Sequence, residues 1–203
     1  MDFEVFKVAD FSARMQQIYT LVRPKLLRLG DELAPELRRK LHLEFFPHVA
    51  RHQRRTVNPP PETWAAFGPS PRGYKRYGYL ALCISRAGLH ARCVVKAEAD
   101  NRRAMSKRLT VGADQLVKDF AGTAIARYDE WNFVQLPFGH SADRELFAAT
   151  LADNLAKKTG GIDLGFGWSV RESLRLDRAE LIDAFRELGP LYSIITQATE
   201  RGD

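Results

Sequence analysis

The side chains best suited to chemistry gather in one segment. Residues 51–77 read RHQRRTVNPPPETWAAFGPSPRGYKRY. Between Arg51 and Arg76 there are six basic side chains (Arg51, Arg54, Arg55, Arg72, Lys75 and Arg76) against one acid, Glu62, so this stretch carries a local +5 of the chain's net +6. A guanidinium is a planar fork that grips phosphate or carboxylate through two hydrogen bonds. Rings interleave with the cations: Trp64, Phe67, Tyr74 and Tyr77. Cations plus stacking surfaces are what nucleotide or single-strand recognition requires. Five of the ten prolines lie in the same segment, and Pro59-Pro60-Pro61 stiffens the chain, so side chains are held at a lower entropic cost than on a Gly/Ser loop.

The other chemically able residues are sparser. His48 and His52 form H-x-x-x-H. On a helix that spacing puts both imidazoles on one face, where a carboxylate would complete a metal site. Pro47 and the proline run favour an extended chain instead. Residues i and i+4 of a strand lie ~13 Å apart, too far to share one ion, so no metal site is expected. Glu62 is the one acid inside the segment; it suits a structural bridge to Arg72 as well as acid–base work, for which Asp129, Glu130 and Asp143 are the outside candidates. The chain has no G-x-G-x-x-G after a strand, no P-loop, no H-E-x-x-H and no G-x-S-x-G, so no cofactor is implied. Cys83 and Cys93 lack a C-x-x-C spacing and read as small buried thiols, on one face if their segments form a hairpin.

The elements that must position these residues follow from periodicity. Phe11, Met15, Ile18, Val22, Leu26 and Leu29 form a helical stripe, with Asp10 as N-cap, a kink ahead of Pro24 and Gly30 as the stop. A short helix over 32–41 follows. Residues 43–50 predict a strand broken near Pro47 at a sheet edge, and residues 57–73 predict a loop, because the residue before a proline is pushed to extended geometry. Segments 77–85 and 89–97 alternate; Leu89, Ala91, Cys93 and Val95 face one way, His90, Arg92, Val94 and Lys96 the other. Helices are expected over 100–120 (Met105, Leu109, Leu116, Phe120) and 141–159 (Phe147, Leu151, Leu155). Strands are expected over 124–137, with a turn at Asp129-Glu130, and over 164–170. Asp177 to Glu180 has the form of a capping box for a helix burying Leu181, Phe185 and Leu188, and a last helix covers 191–199. Strands that neighbour one another rather than alternate with helices indicate an α+β fold with a mainly antiparallel sheet, in one domain over 1–203.

No apolar run reaches the ~18 residues that span a bilayer. The opening MDFEVFKVADF lacks the basic and apolar regions of a signal peptide. A cytoplasmic protein without a membrane partner is expected.

A family resemblance rests on the same segment. Ala50-Arg51-His52-Gln53-Arg54-Arg55-Thr56-Val57-Asn58-Pro59-Pro60, then Thr63-Trp64, then Arg72-Gly73-Tyr74-Lys75, resembles the signature of the YktB-like family of uncharacterised bacterial proteins. The family pattern has Lys where this chain has Arg51 and Ala where it has Gln53. Phe6, Arg14-Met15, Ile18, Pro24-Lys25 and Leu29-Gly30 are similar too. The resemblance implies an α+β domain with a curved antiparallel sheet gripped by helices, similar to the TATA-binding-protein-like class. It brings no catalytic residue with it. It does imply that His52, Arg54, Arg55, Thr56, Asn58, Trp64, Arg72, Tyr74 and Lys75 belong to one constellation.

Three readings of that constellation stand at this point. The first is a binding site for an anionic small molecule, such as a nucleotide, or for nucleic acid. The second is an enzyme acting on a phosphorylated or carboxylated small molecule with His52 as the acid–base group. The third is a loop that only braces the sheet, with Arg54 or Arg55 bonded to carbonyls that the prolines leave without a ladder partner.

Overall fold

The computed structural model describes residues 2–120, 126–128, 133–135 and 141–196. Asp10 caps helix α1 (Phe11–Gln17), its carboxylate accepting from the Ala13 amide at 2.7 Å. The middle of the expected stripe is buried, with Ile18, Val22 and Leu26 all at 1% exposure or less, and Phe11, Met15 and Leu29 at its ends are half-buried. Pro24 has no amide hydrogen to offer the Thr20 carbonyl, and the turn just before it widens into a π segment, Ile18–Val22. Helix α2 (Arg23–Leu41) then runs without interruption through Gly30, where the sequence predicts a stop. Gly30 has a different job. A Cβ there would lie 3.1 Å from the Cβ of Pro47, so the glycine lets α2 approach the first strand closely. The two expected helices are one, ending at His42 in a left-handed conformation (φ 54°).

The strands among the described residues are β1 (Phe46–Val49), β2 (Glu62–Gly68), β3 (Gly78–Ser85), β4 (Gly88–Val95), β5 (Ala126–Tyr128), β6 (Phe133–Gln135) and β7 (Ile162–Ser169). They form one antiparallel sheet in the order β1-β2-β3-β4-β7-β5-β6. Proline-bearing β1 lies at the edge, as expected. The predicted loop over 57–73 is corrected: its centre is β2, paired on both sides. The run of three prolines ends at Pro61, and beyond it Thr63, Ala65 and Phe67 alternate with Glu62, Trp64 and Ala66. That is a period-2 pattern muted by two alanines.

Helices α3 (Arg102–Val111), α4 (Ala113–Asp119), α5 (Ser141–Ala156), α6 (Val170–Ser173), α7 (Arg178–Glu187) and α8 (Gly189–Thr196) complete the described chain. Helical and strand side chains share one core. It joins Leu26, Leu33 and Leu37 to Phe67, Leu80, Leu82, Ala91, Cys93 and Leu164 of one sheet face, and to Leu109, Leu155, Phe185 and Leu191. The expected α+β class, with helices packed on a curved antiparallel sheet, is the class found. The capping box at Asp177 and Glu180 forms with both bonds present, and a second, unpredicted one joins Ser169 to Glu172 ahead of α6. The turn expected at Asp129-Glu130 lies outside the described residues.

The opposite sheet face carries Trp64, Ala66, Tyr79, Ala81, Cys83 and Val94. The expectation that Cys83 and Cys93 share a face is therefore corrected. Ser85 pairs with Gly88, so the hairpin turn is the two residues Arg86 and Ala87; Cys83 then opposes His90, and Cys93 opposes Leu80. Both thiols are free and buried, and burial pushes both upward in pKa.

Candidate functional site

The sheet face that carries Trp64 also carries a cleft, between two chain segments that lie at opposite ends of β2. The first continues β1. Ala50 still pairs with the sheet, its amide donating to the Trp64 carbonyl at 3.0 Å. His52 then takes a left-handed conformation (φ 51°), and the Arg55 amide closes a turn on the His52 carbonyl at 3.0 Å. This segment is tied from behind. Tyr19 donates its hydroxyl to the Arg51 carbonyl, and Arg14 donates to the carbonyls of Val8 and Pro60. The second segment follows Gly68 and folds back over the sheet. A Cβ on Gly68 would lie 2.8 Å from the Cβ of Tyr74, so Tyr74 rests directly on the strand backbone. His48 Nε2 lies 2.9 Å from the Ser70 carbonyl oxygen, and the Tyr77 amide donates to the Tyr74 carbonyl at 3.0 Å.

The space between them is an open cleft of about 1020 Å³. His52, Arg54, Arg55, Trp64, Arg72, Tyr74 and Lys75 all line it, so seven of the nine residues assigned to one constellation do meet. Thr56 and Asn58 do not line it; both are exposed on the proline arm. Phe67 is removed from the aromatic set. It faces the helical core, fully buried, with its ring 5.7 Å from Phe185, because odd-numbered residues of β2 point away from the cleft. The sequence reading missed His48, Arg51 and Arg76 as lining residues. The two arginines belong to the same charge cluster, and His48 was legible only as half of the H-x-x-x-H spacing.

The floor is an aromatic chain. The rings of His52 and Trp64 meet edge-on at 5.4 Å, Trp64 Nε1 donates to the Tyr74 hydroxyl at 3.0 Å, and Tyr74 packs edge-on against Tyr79 at 4.7 Å. A carbonyl only accepts, so His48 donates from Nε2 to the Ser70 carbonyl. His52 Nε2 lies 3.0 Å from the Thr63 hydroxyl. Burial, then the charges of Arg55 and Lys75, press the His52 imidazole down to a pKa of about 4, so it is neutral at physiological pH. The two histidines thus have separate protein partners. Among the described residues no group of three or more His, Cys, Asp or Glu is placed to hold a metal ion.

The cations divide into two groups. Lys75 lies 4.0 Å from Glu98, and Arg76 holds Asp100 at 2.7 Å. Arg51, Arg54, Arg55 and Arg72 are exposed, and none of them is in an ion pair with a described residue. Bonding of a proline-arm carbonyl does occur, but Arg14 supplies it to Pro60, not Arg54 or Arg55. Glu62 is equally unavailable to Arg72. It forms a two-pronged pair with Arg92 of β4 at 2.7 and 3.2 Å, in a buried network that continues to Asp163 and Lys96 at 3.6 Å each. The two acids at 129 and 130 and the side chain of Asp143 lie outside the described residues.

Residues 1–192 match the family model described as "Domain of unknown function (DUF1054)". The chain belongs to this family. It is similar to a "UPF0637 protein" of Lysinibacillus sphaericus, 41% identical over 122 residues that make up 59% of this chain and 58% of that protein. A UPF0637 protein of Bacillus velezensis is 28% identical over 200 residues, covering 95% of this chain and 93% of the relative. A third, from Bacillus thuringiensis, is 50% identical over 90 residues, 44% of this chain and 42% of that protein. The matched stretch is thus under two thirds of the first and third relatives, and nearly all of the second. The resemblance to the YktB-like family, first carried by residues 6–75, is shown by these matches to extend to residue 192.

Proposed function

We propose that this is a cytoplasmic binding protein for an anionic, phosphate-bearing ligand, held in the cleft between residues 50–55 and 70–77 of one α+β domain. One observation carries the reading. Arg54, Arg55 and Arg72 line a concave site and have no carboxylate partner among the described residues, while the bracing task is performed by Arg14. Guanidinium groups with no carboxylate partner among the described residues, set beside half-buried rings, favour a planar or phosphorylated anion. An imidazole with a pKa of about 4 is a weak base at neutral pH, which favours binding over acid–base catalysis by His52.

Calorimetric titration with sodium tripolyphosphate at low salt tests this. The wild-type protein is expected to bind and the Arg54→Ala/Arg55→Ala/Arg72→Ala variant to lose the heat signal while keeping its circular dichroism. A variant that binds as well as wild type, or a wild-type protein that does not bind, overturns the proposal.

A further inference from the structure

We infer that the ligand is a single-stranded nucleic acid laid along a basic track of which the cleft is only one end; this rests on the anion-binding reading above. At Arg76 the cleft adjoins a second concavity. The Arg76 carbonyl accepts from the Asp100 amide at 2.8 Å and its guanidinium holds the Asp100 carboxylate. Immediately beyond Asp100 begins a hollow of about 600 Å³ lined by Asn101, Arg102, Arg103, Leu155 and Lys158. Arg102 builds this hollow rather than facing a ligand. Its guanidinium donates to the carbonyls of Lys157, Lys158 (2.7 Å) and Gly160 (3.1 Å), fixing the end of α5 against the start of α3. Arg103 and Lys158 are exposed, and neither is in an ion pair with a described residue.

The charge pattern along this path is what distinguishes a polyanion from a small one. The bridge between the hollows contains two acids, Glu98 and Asp100, matched by Lys75 and Arg76, so it is close to neutral. Cations with no acid partner among the described residues lie to either side: Arg51, Arg54, Arg55 and Arg72 in the cleft, Arg103 and Lys158 beyond. A small anion can neutralise one group only. A flexible chain of phosphates can neutralise both. Rings are present where bases would lie, with Trp64 and Tyr74 half-buried in the cleft and Tyr77 39% exposed at its rim, and base–aromatic stacking tolerates any sequence. Cations line the cleft from two segments, which suits one backbone between them. A duplex presents its phosphates on a convex cylinder and reaches only the rim.

Fluorescence anisotropy with labelled oligouridylate and oligodeoxythymidylate, from roughly 4 to 16 nucleotides, tests the inference. Six cations acting on a single strand give a log–log salt slope of about 4, or about 300-fold weaker binding between about 50 and 200 mM salt. Arg103→Ala/Lys158→Ala is expected to reduce that to about 50-fold and to remove the gain in affinity with length. Both positions are exposed, so folding is expected to be unaffected. Tighter binding of one series identifies RNA or DNA as the source. Affinity that is independent of length and of the Arg103/Lys158 change, or a duplex bound as tightly as a single strand, overturns the track. If tripolyphosphate binding is still lost in the Arg54/Arg55/Arg72 variant, the cleft itself stands as a small-anion site.

Discussion

Two variants separate an arginine that builds the cleft from arginines that face into it. Arg14 donates to the Val8 carbonyl and, at 3.1 Å, to the carbonyl of buried Pro60. Arg14→Met keeps most of the aliphatic stem and removes both bonds. Hydrogen bonds from a charged donor contribute about 1.5–3 kcal/mol each. Arg14 is only half-buried, so water recovers part of that loss, and the expected cost is about 2 kcal/mol. For a chain of this size that is a fall in Tm of about 4–8 °C, with the urea midpoint reduced and its slope unchanged. Arg54→Ala/Arg55→Ala removes no hydrogen bond or ion pair to a described residue, so it is expected to fall within about 0.5 kcal/mol of wild type. Thermal unfolding followed by circular dichroism, with urea titration of the same three proteins, reads both values. If the Arg54/Arg55 variant unfolds as early as Arg14→Met, those arginines brace the sheet and their charge is not available to a ligand. The cleft would then not be an anion site, whatever its geometry.

Two further outcomes follow from the buried groups. Glu62→Gln leaves the Arg92 guanidinium, 5% exposed, without its two-pronged carboxylate; with Asp163 still at 3.6 Å the expected loss is about 3 kcal/mol, and a urea-derived loss below about 1 kcal/mol would refute a charge network of this importance. Acid should destabilise the protein through His52 and His90, which burial holds at pKa values of about 4 and about 3. Both lie below the unfolded value of about 6.5, so the unfolded chain takes up protons first; stability is full above pH ~6.5 and is lost as pH falls toward 4. Each histidine then costs about 2 kcal/mol at pH 5. Asp163, pushed up by burial to about 6, works in the opposite sense by about 1.4 kcal/mol, leaving a net loss of about 2.5 kcal/mol. Urea midpoints at pH 8 and pH 5 read this directly; equal midpoints would contradict it.

What was legible in the sequence was local. The stripe from Ile18 to Leu26, the Asp10 cap and the Asp177 capping box each depend on residues a few positions apart, and each forms as read. Gly30 was ambiguous because one residue type serves two ends: it stops helices, and it lets backbones approach. Only the position of Pro47 decides between them. The two cysteines turned on one residue. A three-residue hairpin would have put them on one face; the two-residue turn found here flips the second strand relative to the first. Arg14 to Pro60 and Glu62 to Arg92 join residues 46 and 30 positions apart, and no pattern within a window contains them.

The misread strand and the candidate site are one matter. With a loop over all of 57–73, the basic residues before it and those at its end would have no fixed separation. Strand β2 divides them. Paired on both sides, it fixes the exits of the two basic segments at its opposite ends, and Tyr74 returning over Gly68 to reach Trp64 brings the second segment back across the sheet toward the first. The prolines stiffen the arm before β2, and Arg14 anchors it. Charge that is merely dense in the sequence becomes two basic segments anchored at opposite ends of one paired strand. That pre-organisation lowers the ordering cost of binding, and it is the reason the Arg54/Arg55 and Arg14 variants should separate so cleanly.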